Sequence, residues 1–149
     1  MPGFVTHHIF GINAFHGLPK GNAKDIIRKH NKAYSLGLQG PDLFFYFLPT
    51  SSGLFPNIAN KMHKENTGEF FNQLIIACST IKELEDYETC NAYIQGFIGH
   101  YLLDSAIHPY VYCRVTTKPD KEVLGVHFGL ETDIEYEIGR AVQQECRDR

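Results

Sequence analysis

His100, Asp104 and His108 recur at intervals of four inside GFIGHYLLDSAIHPYVY, residues 96–112. On an α-helix, residues four apart share a face, with about 5–6 Å between their Cβ atoms. An imidazole and a carboxylate so placed can hydrogen-bond to each other, or they can aim their lone pairs at one cation. Zinc is bound by this donor set where thiolates are lacking. The rest of the stretch is apolar, and a buried ionisable group is costly unless something pairs with it. A cation would neutralise the carboxylate and so explain why it is tolerated there. A second such pair, His127 and Glu131, lies in HFGLETD. Asp42 follows the Gly40-Pro41 turn, His63 stands just before an expected helix, and His7 is near the N-terminus. These make eight candidate metal ligands: His7, Asp42, His63, His100, Asp104, His108, His127 and Glu131. Spacing alone leaves both readings open, a set of hydrogen-bonded pairs or a metal centre.

Helices are expected to position them. Strict alternation of apolar and polar residues is missing from every long window, whereas helical spacing is common. A short apolar segment runs from Phe4 to Phe15 and carries His7 and His8. A helix is predicted from about Ala23 to Leu36, with Asn22 as its N-cap and an end near Gly37 and Gly40. Another covers about Glu65 to Lys82, with Phe70, Leu74, Ile75 and Cys78 at helical spacing. The long apolar helix runs from about Tyr87 to Ile107 and is ended by Pro109. Gly96 and Gly99 lower its intrinsic helix stability, and close packing against a neighbour accounts for them. The last helix begins near Val126. TSSGLFPN and TTKPDKEVLG read as loops, and residues 1–149 as a single all-α domain, a bundle of four or five helices.

The composition limits the function classes. The chain has 149 residues, 43% hydrophobic and 21% charged, as in globular domains able to bury a core. A formal net charge of -3 argues against a general nucleic-acid binder, so no stable nucleic-acid partner is expected. Cys78, Cys90, Cys113 and Cys146 form no CxxC pair and are expected to be reduced thiols. Neither a secretory signal nor a run of about 20 apolar residues is seen, so the expected location is the cytoplasm, with peripheral contact to a membrane surface still open. His8, His16 and His30 have no helical partner in sequence and are read as surface or structural histidines.

Over nearly its whole length the sequence resembles the zinc-dependent phospholipase C family, whose all-α helical bundle is shared with P1-type nucleases. The resemblance rests on MPGFVTH, GLQGPDLFFY, HKENTGEFF, GFIGHYLLDSAIHPYVY and HFGLETD, and on the order His, Asp, His, His-x-x-x-Asp, His, His-x-x-x-Glu. It implies up to three zinc ions as cofactor. One would be held by Asp42, His63, His100 and Asp104. A second would share Asp104 and add His7, with a chain-terminal amine that here would be Pro2 after removal of Met1. A third would be held by His108, His127 and Glu131. It further implies a phosphodiester hydrolase, foremost one that cleaves the headgroup from a phospholipid by a zinc-activated water, with Asp42 as the catalytic residue that orients or deprotonates that water. The alternatives are a nuclease or other phosphodiesterase on the same scaffold, or a zinc-binding domain with little turnover. The chain ends soon after Glu131, which leaves open a bundle truncated at its C-terminus.

Overall fold

A computed structural model describes residues 3–46, 58–115 and 123–147. TSSGLFPN, most of TTKPDKEVLG and Pro2 fall outside these residues. The order is α1 (Phe4–Gly17), α2 (Asn22–Lys29), α3 (Asn31–Gly37), a 3-10 turn (Gly40–Tyr46), α4 (Ile58–Lys64), α5 (Thr67–Ser79), α6 (Leu84–Val115) and α7 (Val123–Arg147). No strand occurs among the described residues, as expected for an all-α chain. Among the described residues, seven α-helices replace the four or five expected.

The long apolar helix, α6, is the axis of the fold, with α1, α2, α3, α5 and α7 all packed on it. The tightest crossing is with α3. A Cβ on Gly37 would sit 2.1 Å from the carbonyl oxygen of Tyr93, and one on Gly96 would sit 2.1 Å from that of Tyr34. Two glycines therefore let the two backbones touch, which is the packing role expected of Gly96. Beside this crossing lies a core of Ile26, Ile27, Tyr34, Leu38 and Ala92. The Tyr34 hydroxyl donates to the Gly11 carbonyl at 3.0 Å, tying α1 to the same centre.

Several helix boundaries differ from those expected. The Ala23–Leu36 helix is broken at His30, whose backbone leaves the helical region at φ -111°, ψ 43°. Tertiary bonds hold the break: His30 Nε2 lies 3.2 Å from Glu88 Oε2, and its Nδ1 3.0 Å from the Thr89 hydroxyl. His30 thus has the structural role read for it. Gly21, not Asn22, is the N-cap of α2. α5 is shorter than the Glu65–Lys82 span, and His63 lies on a helix of its own, α4. Pro109 does not end α6, which continues to Val115. Proline removes the donor for the carbonyl four residues back; Ser105 and Pro109 are both exposed, so water can satisfy that carbonyl. α7 starts at Val123, three residues before the expected position. Cys78 and Cys90 are free thiols, as expected.

Candidate metal centre

Five of the eight candidate ligands meet at one point, brought there by four elements. α1 supplies His7, the 3-10 turn Asp42, α4 His63, and α6 both His100 and Asp104. His7 and His100 are fully buried, and Asp42 and Asp104 are each 4% exposed. The turn is shaped for this approach. Gly40 has φ 53°, a left-handed conformation that glycine adopts without strain, and a Cβ there would lie 2.4 Å from ring carbons of His100.

Four donor atoms form a closed set of short edges. His63 Nε2 is 3.1 Å from Asp42 Oδ1 and 3.5 Å from Asp104 Oδ2. His100 Nε2 is 3.7 Å from the same Asp42 oxygen and 3.4 Å from the same Asp104 oxygen. The other oxygen of Asp104, Oδ1, faces His7 Nε2 at 3.5 Å. The His7 and His100 rings stack with centroids 4.1 Å apart. These contacts do not satisfy the atoms that make them. His7 Nε2, His63 Nε2, His100 Nε2, Asp42 Oδ1 and both Asp104 oxygens are buried without a hydrogen bond. Buried polar atoms are nearly always satisfied, so a group of orphans facing one another calls for a positive charge between them.

The outer ring nitrogens determine which atoms face inward. Nδ1 of His63 donates to the Ala59 carbonyl at 2.7 Å, and Nδ1 of His100 donates to the Leu38 carbonyl at 3.1 Å. A carbonyl only accepts, so each ring carries its hydrogen on Nδ1 and, when neutral, a lone pair on Nε2. Such outer bonds orient histidines that bind metals. Zinc with bonds of about 2.0 Å to nitrogen or oxygen in a tetrahedron has ligand–ligand edges of about 3.3 Å, and the four edges bracket that value. The donor set and the orphaned atoms fit zinc.

In the zinc-free protein a proton on His63 supplies positive charge there. Burial lowers the pKa of His63, but Asp104 and Asp42 outweigh it and raise the pKa to about 9. Burial raises that of Asp104, but His100, His63 and His7 outweigh it and hold the carboxyl far below its usual range. The His63 contribution to stability is therefore complete below its unfolded value of 6.5 and is lost as pH rises through about 9. That of Asp104 is present above its unfolded value of 3.8 and is lost as pH falls towards its depressed folded value. Melting temperatures of the zinc-free protein are expected to fall between pH 6.5 and 9 and to lose that slope in His63→Gln. Zinc saturation is expected to remove the slope too, because a ligating His63 is neutral. Persistence of the slope in zinc-saturated protein would exclude His63 as a ligand.

His108 and Glu131 form a smaller group beside the first. His108 Nε2 is 3.7 Å from Glu131 Oε1, and Glu131 is 3% exposed. Burial is the largest influence on His108 and lowers its pKa, which favours the neutral ring. His127 lies on α7 one turn before Glu131, and its side chain is outside the described part of the structure.

A third gathering of donors, His30, Glu85 and Glu88, is of another kind. Lys29 Nζ lies 2.6 Å from a carboxylate oxygen of each glutamate and supplies the positive charge itself. That group is a surface salt-bridge network.

With this geometry in view, the comparison with protein families is decisive. The family model described as zinc dependent phospholipase C matches residues 6–144. The chain belongs to the zinc-dependent phospholipase C family. Comparison with curated proteins and with solved structures yields no match. The match takes in all eight candidate ligands, and the all-α architecture is consistent with the phospholipase C/P1 nuclease fold. No helix among the described residues is long and apolar enough to cross a membrane.

Two features of this phospholipase C family chain were missed in the sequence. The carbonyls of Leu38 and Ala59 leave no trace in residue type. Glu135, one turn after Glu131, accepts a hydrogen bond from the Val5 N–H at 2.9 Å; its spacing from Glu131 was the available signal.

Proposed function

We propose that residues 1–149 act as one domain, a zinc-dependent phosphodiester hydrolase that cleaves the headgroup from a phospholipid. The observation that supports this best is the closed set of edges among Asp42, His63, His100 and Asp104, with the second oxygen of Asp104 turned to His7. In this reading Asp42, His63, His100 and Asp104 would hold one zinc, Asp104 and His7 would serve a second, and His108, Glu131 and His127 would hold a third. Bound zinc supplies Lewis acidity at the phosphoryl oxygens and a lowered pKa for water.

The chain's own groups do the rest. The Asp42 carboxylate, on a turn fixed by Gly40, takes a proton from the attacking water. The water oxygen forms the new bond to phosphorus, and the bond from phosphorus to the glycerol oxygen breaks. That oxygen takes up a proton from solvent and leaves as diacylglycerol, Asp42 releases its proton to solvent, and the phosphorylated headgroup is the other product. Phe45 beside His63 and Phe97 beside His100 give the centre apolar walls, and exclusion of water strengthens every charge interaction inside. A phospholipid substrate entails peripheral contact with a lipid surface, and the cytoplasmic face of a membrane is the setting proposed.

Zinc-loaded protein should be assayed on mixed phospholipid vesicles, single-stranded DNA and a chromogenic phosphodiester. Release of diacylglycerol, abolished by a chelator and restored by zinc, is expected. Asp42→Asn is expected to lower kcat by about 10²-fold or more, the usual worth of a general base. Cleavage of DNA without diacylglycerol would make the chain a nuclease, and no turnover on any substrate would make it a zinc-binding domain.

A further inference from the structure

Helix α1 begins without a cap of its own. Gly3 occupies the N-cap position and has no side chain to offer, and the first turn holds no acidic residue. The first N–H groups of a helix have no helical acceptor. One of them, on Val5, is satisfied by Glu135 Oε1 at 2.9 Å, from a residue 130 positions further along the chain. The carboxylate also fills the space beside Gly3. A Cβ there would fall 1.7 Å from Glu135 Oε2, so the chain entering α1 passes directly over this side chain. These observations place a negative charge at the N-terminal end of α1, where the helix dipole favours it.

Both helices joined by this contact carry groups of the metal centre. His7 is one turn past Gly3, and its N–H bonds to the Gly3 carbonyl. Glu131 is one turn before Glu135 on α7 and faces His108 on α6. We propose that Glu135 is a positioning residue of the centre: it fixes the start of α1, and through it the His7 ring against Asp104, while holding α7 so that Glu131 meets His108. The proposal rests on the zinc reading above, and it adds a residue that does not touch the metal.

The test compares Glu135→Ala, Glu135→Gln and wild type. Zinc affinity is read by competition with a chromophoric chelator, the fold by helical circular dichroism and zinc-free melting, and the His7 ring by its NMR signals in the zinc-free protein. Glu135→Ala is expected to weaken zinc about 10- to 100-fold, as loss of an outer-sphere partner does, and to shift the His7 signals with little change in helicity. Glu135→Gln, whose amide oxygen can still accept from Val5, is expected to recover most of the affinity and the His7 signals. Unchanged affinity and unchanged His7 signals in Glu135→Ala would overturn the proposal, and so would equal losses in both variants accompanied by loss of helicity. If wild type binds no zinc, the zinc reading fails separately. The His7 signals then decide: movement in Glu135→Ala alone supports the positioning role, and no movement refutes it.

Discussion

Asp104→Asn is expected to abolish most of the stabilisation that zinc gives the protein, together with most of its turnover. Asp104 has an oxygen on each side of the centre: Oδ2 faces His63 and His100, and Oδ1 faces His7. The amide keeps the shape and removes the charge that two cations would share. A ligand present at about a thousandfold its Kd stabilises the native state by about 4 kcal/mol. At roughly 2–4 °C per kcal/mol for a domain of this size, wild type is expected to gain about 10 °C on zinc addition and Asp104→Asn only a small part of it. The difference between zinc-loaded and chelated melting temperatures is the quantity to compare, because it cancels any effect on the metal-free fold. A full zinc-induced shift in Asp104→Asn would remove Asp104 from the centre.

Gly40→Ala is expected to destabilise the protein even without zinc, by about 2–5 kcal/mol. Roughly 1–2 kcal/mol comes from forcing a Cβ into the left-handed conformation, and about 1–3 kcal/mol from overpacking. The new Cβ would lie 2.4 Å from the His100 ring. That ring cannot withdraw, since it stacks on His7 and is bonded to Leu38. Gly68→Ala is the matched control, because a Cβ at Gly68 has no neighbour within 4 Å, and it is expected to be neutral or slightly stabilising. Urea unfolding of the chelated proteins measures both. Gly40→Ala as stable as wild type would contradict the account of the turn, while the zinc assignment would still stand on its own test.

The sequence made some of this legible and hid the rest for physical reasons. His100 and Asp104 stood out because two ionisable residues one turn apart in an apolar helix need a partner. His7, Asp42 and His63 come from three other elements, and nothing in local spacing links them; residue type and position made them candidates, and only the family resemblance grouped them. The all-α class followed from helical periodicity, but the helix count did not. α3 and α4 have seven residues each, too few for a period to show. The break at His30 contains neither glycine nor proline and is made by Glu88 and Thr89 on α6. Pro109 misled in the opposite sense, since a proline is tolerated where water can reach the carbonyl it orphans. Glu135 escaped notice because its work is to cap a helix at the other end of the chain.

Anomalous diffraction from zinc-soaked crystals, recorded at the zinc edge, tests the central claim most directly. The account predicts a strong peak among His63 Nε2, His100 Nε2, Asp42 Oδ1 and Asp104 Oδ2, and a neighbour between Asp104 Oδ1 and His7 Nε2. Density confined to surface sites such as His30, Glu85 and Glu88, with none among the four buried atoms, would contradict it.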